Sequence, residues 1–390
     1  MKKTGLKIIS VILALMFVFV SAGVPAYAKD NEKEIKNVIL MIGDGMGVNH
    51  LEWTKADRKI PLFMDSFPYK GYSKTNSFNG VTDSAAGGTA LACGLHAWNS
   101  NIGTNSIHTN GHGAVFAEYK NLCEIAKSMG KRAGILTSDE NSGATPACFS
   151  AHTVKREYTE QITEQQLECN VDLLWACSNG LVNKKNAEEH GWKYCETLRD
   201  IDALKDGDKS FAAVKGNICY DMGGPDDIPL SVLTVKALEL LDCDEGFFIM
   251  IEGAHIDKNS HANNKEGMME SLIEFDKSIE KAVDFAEKDG HTLVMVTADH
   301  ETGGITMNEE TGEYEFTVSS HTDANVPLLV YGSDEFIENG ETVVNAEIGR
   351  FAGKKLGYKG IFPYAKINFL FVPELIKALF IVLSEKISGK

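Results

Sequence analysis

Hydrophobic residues fall along this chain in two rhythms. Five short runs are almost continuously apolar and rich in Ile, Val, Leu or Met: Asn37–Ile42, Ala133–Thr137, Gly246–Ile251, Thr292–Thr297 and Pro327–Val330. A run with no polar face reads as a strand buried on both sides. Between the runs, helical patterns cover Ala114–Met129, Leu230–Leu241, Lys265–Lys288 and Asn345–Leu356. Strands alternating with helices predict an α/β fold, a mostly parallel central sheet flanked by helices on both faces. Ligands of such sheets bind beyond the carboxyl ends of the strands, so the polar residues there carry the functional question.

Three segments break the rhythm. Residues 1–28 begin with Lys2, Lys3 and Lys7, continue through an apolar stretch from Ile8 to Val20 and end in Ala26-Tyr27-Ala28. That is the layout of a secretory signal peptide, which predicts export: release, periplasm or cell surface. The main α/β domain is then expected over 29–358. Residues 157–227 are rich in charge and hold four of the cysteines, and read as an insertion or cap on the main sheet. In the tail, 359–390, the apolar stretch Ile367–Leu383 is interrupted by Pro373, Glu374 and Lys377. It suits an amphipathic helix on a membrane surface, or packing against the domain or a partner subunit.

Four strand ends gather acids or histidines. The first strand is followed by Gly43-Asp44-Gly45-Met46-Gly47, and the third run by Glu252-Gly253-Ala254-His255-Ile256-Asp257-Lys258-Asn259-Ser260-His261. Ala298-Asp299-His300-Glu301 follows the fourth, and Ser320-His321-Thr322 precedes the last. So many carboxylates on one rim would repel one another and resist desolvation unless cations were held there. Asp257 and His261, four apart, share one face of a helical turn. Mixed imidazole and carboxylate donors suit zinc, and an all-oxygen set suits magnesium. A nucleophile is also available. Ser84 opens the small-residue segment Ser84-Ala85-Ala86-Gly87-Gly88-Thr89-Ala90, which predicts a helix whose first N–H groups favour an anion. Locally the same serine also reads as a simple N-cap.

Composition modifies this picture in two ways. The formal charge of −17 argues against nucleic acid as a partner. It does not exclude a phosphate substrate, because bound cations reverse the local field. The eight cysteines permit disulfides in an exported protein, with Cys169 to Cys177 and Cys195 to Cys219 as local pairs, or buried free thiols; none has the C-x-x-C spacing of a thiolate zinc site.

The segments around Asp44, Asp83-Ser84-Ala85-Ala86, Ala144-Thr145-Pro146-Ala147, Glu252 to His261, Thr297-Ala298-Asp299-His300 and Ser320-His321-Thr322, in this order over roughly 35–355, resemble alkaline phosphatase. The resemblance implies hydrolysis of phosphate monoesters by a homodimer at a site with two zinc ions and one magnesium ion. It implies that Asp257, His261 and His321 hold the first zinc, and Asp44, Asp299 and His300 the second. Thr145 and Glu252 would complete a magnesium site with Asp44. Ser84 would be the nucleophile and pass through a phosphoserine. Arg156 would grip the phosphate with two guanidinium N–H groups, and Lys258 would reach it through water. One position departs from the pattern: many relatives have Asp or His two residues before Thr145, where this chain has Gly143, which alters the surroundings of the third metal.

Overall fold

The five apolar runs become the middle of a ten-stranded sheet in the computed structural model of the chain, which describes residues 34–109, 112–220, 224–360 and 365–367. In chain order the strands are β1 (Asn37–Gly43), β2 (Tyr69–Lys74), β3 (Arg132–Glu140), β4 (Leu173–Cys177), β5 (Lys193–Cys195), β6 (Ser210–Val214), β7 (Phe247–Gly253), β8 (Thr292–Thr297), β9 (Val326–Tyr331) and β10 (Thr342–Val344). They lie in the order β10-β2-β9-β8-β1-β7-β3-β4-β6-β5. Every pairing is parallel except the two that β9 makes, with β8 and β2. Because β9 runs the other way, its first residues sit on the rim where its parallel neighbours end.

The helices that frame the site are α1 (Val48–Arg58), α2 (Ser84–Cys93), α3 (Leu122–Ser128), α4 (Ala144–Cys148), α5 (Leu230–Leu241), α6 (His255–His261), α7 (Lys265–Asp289) and α8 (Asn345–Lys355). Alternation along β1 shows how the sheet serves two cores. Val38, Leu40 and Ile42 point to one face, into a cluster with Leu91, Ile125 and Ile348. Ile39 and Met41 point to the other, against Leu233, Leu272 and Phe275. Full burial on both faces is why these strands lack polar positions.

Two expectations need correction. The helix expected over Ala114–Met129 is a strand, His112–Tyr119, followed by the shorter α3. Asn121 marks the true start: its side chain accepts from Glu124 N at 2.9 Å, and Glu124 accepts from Asn121 N at 2.9 Å. The strand pairs with Thr104–Thr109 and with Ala365–Ile367 in a small separate sheet, which ties the first part of the tail to the domain. The region 157–227 is not a cap. It supplies β4, β6 and β5 and extends the main sheet at one edge, because Leu173–Ala176 and Phe211–Val214 are themselves buried apolar runs. The tail beyond Ile367 and the leader 1–28 lie outside the described residues. Among the described residues no helix is long and apolar enough to cross a membrane.

Of the two readings left open for the cysteines, free thiols hold: all eight are free. Cys169 lies before β4 and Cys177 ends it, so the strand holds them roughly 13 Å or more apart, beyond disulfide reach. Cys219 Sγ instead meets Ser271 Oγ at 3.6 Å. Cys93, Cys123 and Cys148 are fully buried, and burial raises all three thiols, Cys148 to about 12. A thiol-reactive dye is therefore expected to count eight thiols in denaturant and to leave these three unlabelled in the native protein; a lower count in denaturant means that bridges exist.

Candidate active site

Ser84 is the first residue of α2, and the cap is Asp83, not the serine. Asp83 Oδ1 accepts from Ala86 N at 2.9 Å and Oδ2 from Ser100 N at 2.9 Å. The serine hydroxyl is thereby released from capping and stands 3.1 Å from His300 Nε2. Gly87 makes this approach possible. A Cβ there would meet the carbonyl oxygen of Asp299 at 2.6 Å, so any side chain would push α2 off the loop that carries Asp299 and His300.

Around the hydroxyl the rim residues form two adjoining clusters. In one, His300 Nε2 lies 3.6 Å from Asp44 Oδ1 and 3.3 Å from Asp299 Oδ2. In the other, His261 Nε2 lies 3.1 Å from His321 Nε2 and 3.4 Å from Asp257 Oδ1, and His321 Nε2 lies 3.8 Å from the same oxygen. These side chains come from the segments just after β1 and β8, from α6 and from the segment before β9; the donor atoms of Asp257, His300 and His321, and those of Asp44, Asp299 and His300, each lie close enough together to hold a cation.

The hydrogen bonds fix which nitrogen of each ring carries a proton. His261 Nδ1 faces the carbonyl of Ser319 at 2.8 Å, and His321 Nδ1 that of Thr82 at 2.9 Å. A carbonyl only accepts, so both Nδ1 atoms donate and both neutral rings present a lone pair at Nε2. Thr302 donates its hydroxyl proton to Asp257 Oδ1 at 2.5 Å, so its oxygen accepts from His300 Nδ1 at 3.2 Å. His300 therefore also offers a bare Nε2. Two lone pairs 3.1 Å apart, His261 against His321, repel unless a cation or a proton lies between them.

A third group is built of oxygen. Glu252, near the end of β7, accepts through Oε2 from the Thr137 hydroxyl, while its Oε1 has no hydrogen-bond partner. Thr145 Oγ1, Asp44 Oδ1 and Asp299 Oδ2 are likewise buried and unpartnered. Buried polar atoms of folded proteins are nearly always satisfied, so four orphans at one rim mark missing ligands. Burial, then the charges of Asp299 and Asp257, push the Asp44 carboxyl well above its ordinary range. Burial and the charge of Asp139 raise Glu252 to about 8, burial raises Asp299, and burial drives His300 well down. Divalent cations would reverse each of these penalties. The donors fit them: imidazole nitrogens with carboxylates for zinc, oxygen only for magnesium.

Arg156 lies beside the nucleophile, its Nη1 3.6 Å from Asp83 Oδ2 and its backbone N–H bonded to Ser100 O at 2.8 Å. Lys258, one residue after Asp257, forms an ion pair with Asp139. Sequence reasoning overlooked Asp139, Thr137 and Thr302. Thr302 follows the Asp299-His300 pair by two residues, and Asp139 ends a strand, so the strand-end rule would have reached both. It missed Asp139 because β3 runs to Glu140, three residues past the expected end.

The family model for alkaline phosphatase matches residues 35–188 and 175–350. Alkaline phosphatase 4 of Bacillus subtilis is 32% identical over 72% of this chain and 64% of its own length. Alkaline phosphatase H of Pseudomonas aeruginosa is 30% identical over 78% of each chain. The chain spans about 64% of the length of the first two curated relatives it matches. Among solved structures, the alkaline phosphatase of the Antarctic bacterium TAB5 superposes with a TM-score of 0.72 at 29% identity, over 85% of this chain and 100% of that one. A variant of that enzyme was solved with magnesium bound in its M3 site.

Proposed function

The chain belongs to the alkaline phosphatase family, and from that premise we propose that it is an exported phosphomonoesterase that uses Ser84 as nucleophile beside two zinc ions and one magnesium ion. One observation carries the reading. Three imidazoles turn bare Nε2 atoms toward buried carboxylates, those of Asp44 and Asp299 each with an unpartnered oxygen, around a serine hydroxyl freed from capping. Asp257, His261 and His321 would hold one zinc, Asp44, Asp299 and His300 the other, and Asp44, Thr145 and Glu252 the magnesium. When bound, these cations lower the pKa of coordinated oxygens and neutralise charge on the entering and leaving groups.

The chain's own residues supply the rest. The guanidinium of Arg156 binds two nonbridging phosphate oxygens, and Asp83 holds it beside the start of α2. The first N–H groups of α2 add partial positive charge at the same place. Ser84 gives its hydroxyl proton to solvent, its Oγ attacks phosphorus, the bond from phosphorus to the substrate alcohol breaks, and the alcohol departs with a proton from solvent. Water then attacks the phosphoserine, the bond to Ser84 Oγ breaks, the serine regains its proton and inorganic phosphate leaves. Lys258, one residue after Asp257, would reach the phosphate through water.

The test compares p-nitrophenyl phosphate with its bis-ester. Faster hydrolysis of the monoester is expected, and Arg156→Ala should lower kcat/KM for it by on the order of 100-fold, because two charge-assisted hydrogen bonds are lost. The bis-ester has fewer free oxygens to offer and should respond less. A diesterase rate that exceeds the monoesterase rate and ignores Arg156 overturns the substrate assignment. Export rests on the leader pattern at 1–28; a protein recovered from the medium or envelope with Lys29 near its N-terminus supports it, and a cytoplasmic full-length chain rejects it.

A further inference from the structure

Gly143 is not required by its backbone. It has φ −52° and ψ 151°, a conformation open to any L-residue. What excludes a side chain is Asp139: a Cβ on residue 143 would stand 2.1 Å from Asp139 Oδ2. The carboxylate of one residue occupies the space that a side chain of the other would need.

That space adjoins the oxygen-only group. Thr145 is two residues beyond Gly143, at the start of α4. On the other side, Asp139 N donates to Thr137 Oγ1 at 2.8 Å, and the Thr137 hydroxyl donates to Glu252. Asp139 is thus joined through one threonine to the carboxylate whose Oε1 has no partner. Its own Oδ1 is engaged by Glu140 N at 2.8 Å and by Lys258 Nζ, while Oδ2 is the atom turned toward Gly143. Asp44, Thr145 and Glu252 give three protein oxygens. Magnesium demands six ligands, keeps several waters and needs acceptors to orient them.

We propose that Asp139 is a further protein group of the third cation site, holding the cation's water ligands from the position that a side chain on residue 143 would otherwise take. The inference rests on the three-cation reading above and adds a residue to it. Glycine at 143 and aspartate at 139 then form one unit: neither residue is explained without the other. Lys258 becomes a cation competing for the same carboxylate rather than its reason for being there.

The experiment titrates magnesium into the zinc-loaded full-length protein by calorimetry, with metal content read by elemental analysis. Asp139→Asn should weaken magnesium binding by roughly 10–100-fold while two zinc ions per chain are retained. The swap D139A/G143D removes the clash and returns a carboxylate to the same space, so it should recover most of the lost affinity. Lys258→Met should leave the affinity unchanged or raise it. Wild-type affinity in Asp139→Asn overturns the proposal, as does a swap that recovers nothing, or a loss in Lys258→Met equal to that in Asp139→Asn. A wild-type protein that takes up no zinc fails at the first titration, before any variant is made. That result overturns the three-cation reading, and the inference with it.

Discussion

Ser84→Ala is expected to lower kcat/KM for p-nitrophenyl phosphate by at least about 10,000-fold while the protein keeps its fold and its metals. The substitution deletes one oxygen from a buried position at the first turn of α2. Alanine is a good helix residue, and the cap is supplied by Asp83, so no helix-starting interaction is lost. The side-chain hydrogen bond that disappears is the one to His300. A metal analysis showing normal zinc beside vanished turnover would separate chemistry from folding. Near-wild-type turnover would remove Ser84 as the nucleophile, whatever the metal content.

Exhaustive chelation is expected to abolish activity, and zinc with magnesium to restore it. A second readout should move with it. The rim holds Asp44, Asp257, Glu252 and Asp299 largely out of water, and without cations their mutual repulsion is uncompensated. Ligands bound to the native state alone stabilise by mass action, about 4 kcal/mol at a thousandfold excess over Kd. Stripping them should therefore lower the melting temperature by on the order of 10 °C. Undiminished turnover after verified demetallation would reject cation chemistry at this rim.

How much was legible in the sequence depended on position in the sheet. The five expected strands are the five adjacent central ones, β9, β8, β1, β7 and β3, because burial on both faces leaves an unbroken apolar signature. The flanking strands were missed. β2 alternates buried and exposed residues, and β5 and β10 are only three residues long, too short to stand out. The rim clusters were legible because strand ends are marked by the change from Ile and Val to Asp, Glu and His. Their proton arrangement was not. Thr302, Ser319 O and Thr82 O fix the imidazole tautomers, and two of these are backbone atoms that no residue code announces. Asp139 stayed hidden because β3 runs three residues past its expected end.

The reversed direction of β9 also bears on when the proposed first zinc site can be completed. His321 lies just before β9, which docks antiparallel on β8, while Asp257 and His261, the other two residues proposed for that site, lie on α6. No stretch of the chain that ends before residue 321 carries all three of these residues. On the proposed assignment, capture of that ion is a closing event, coupled to contacts distant in sequence, and a polypeptide that stops short of residue 321 is expected to lack that site even if most of its sheet has formed.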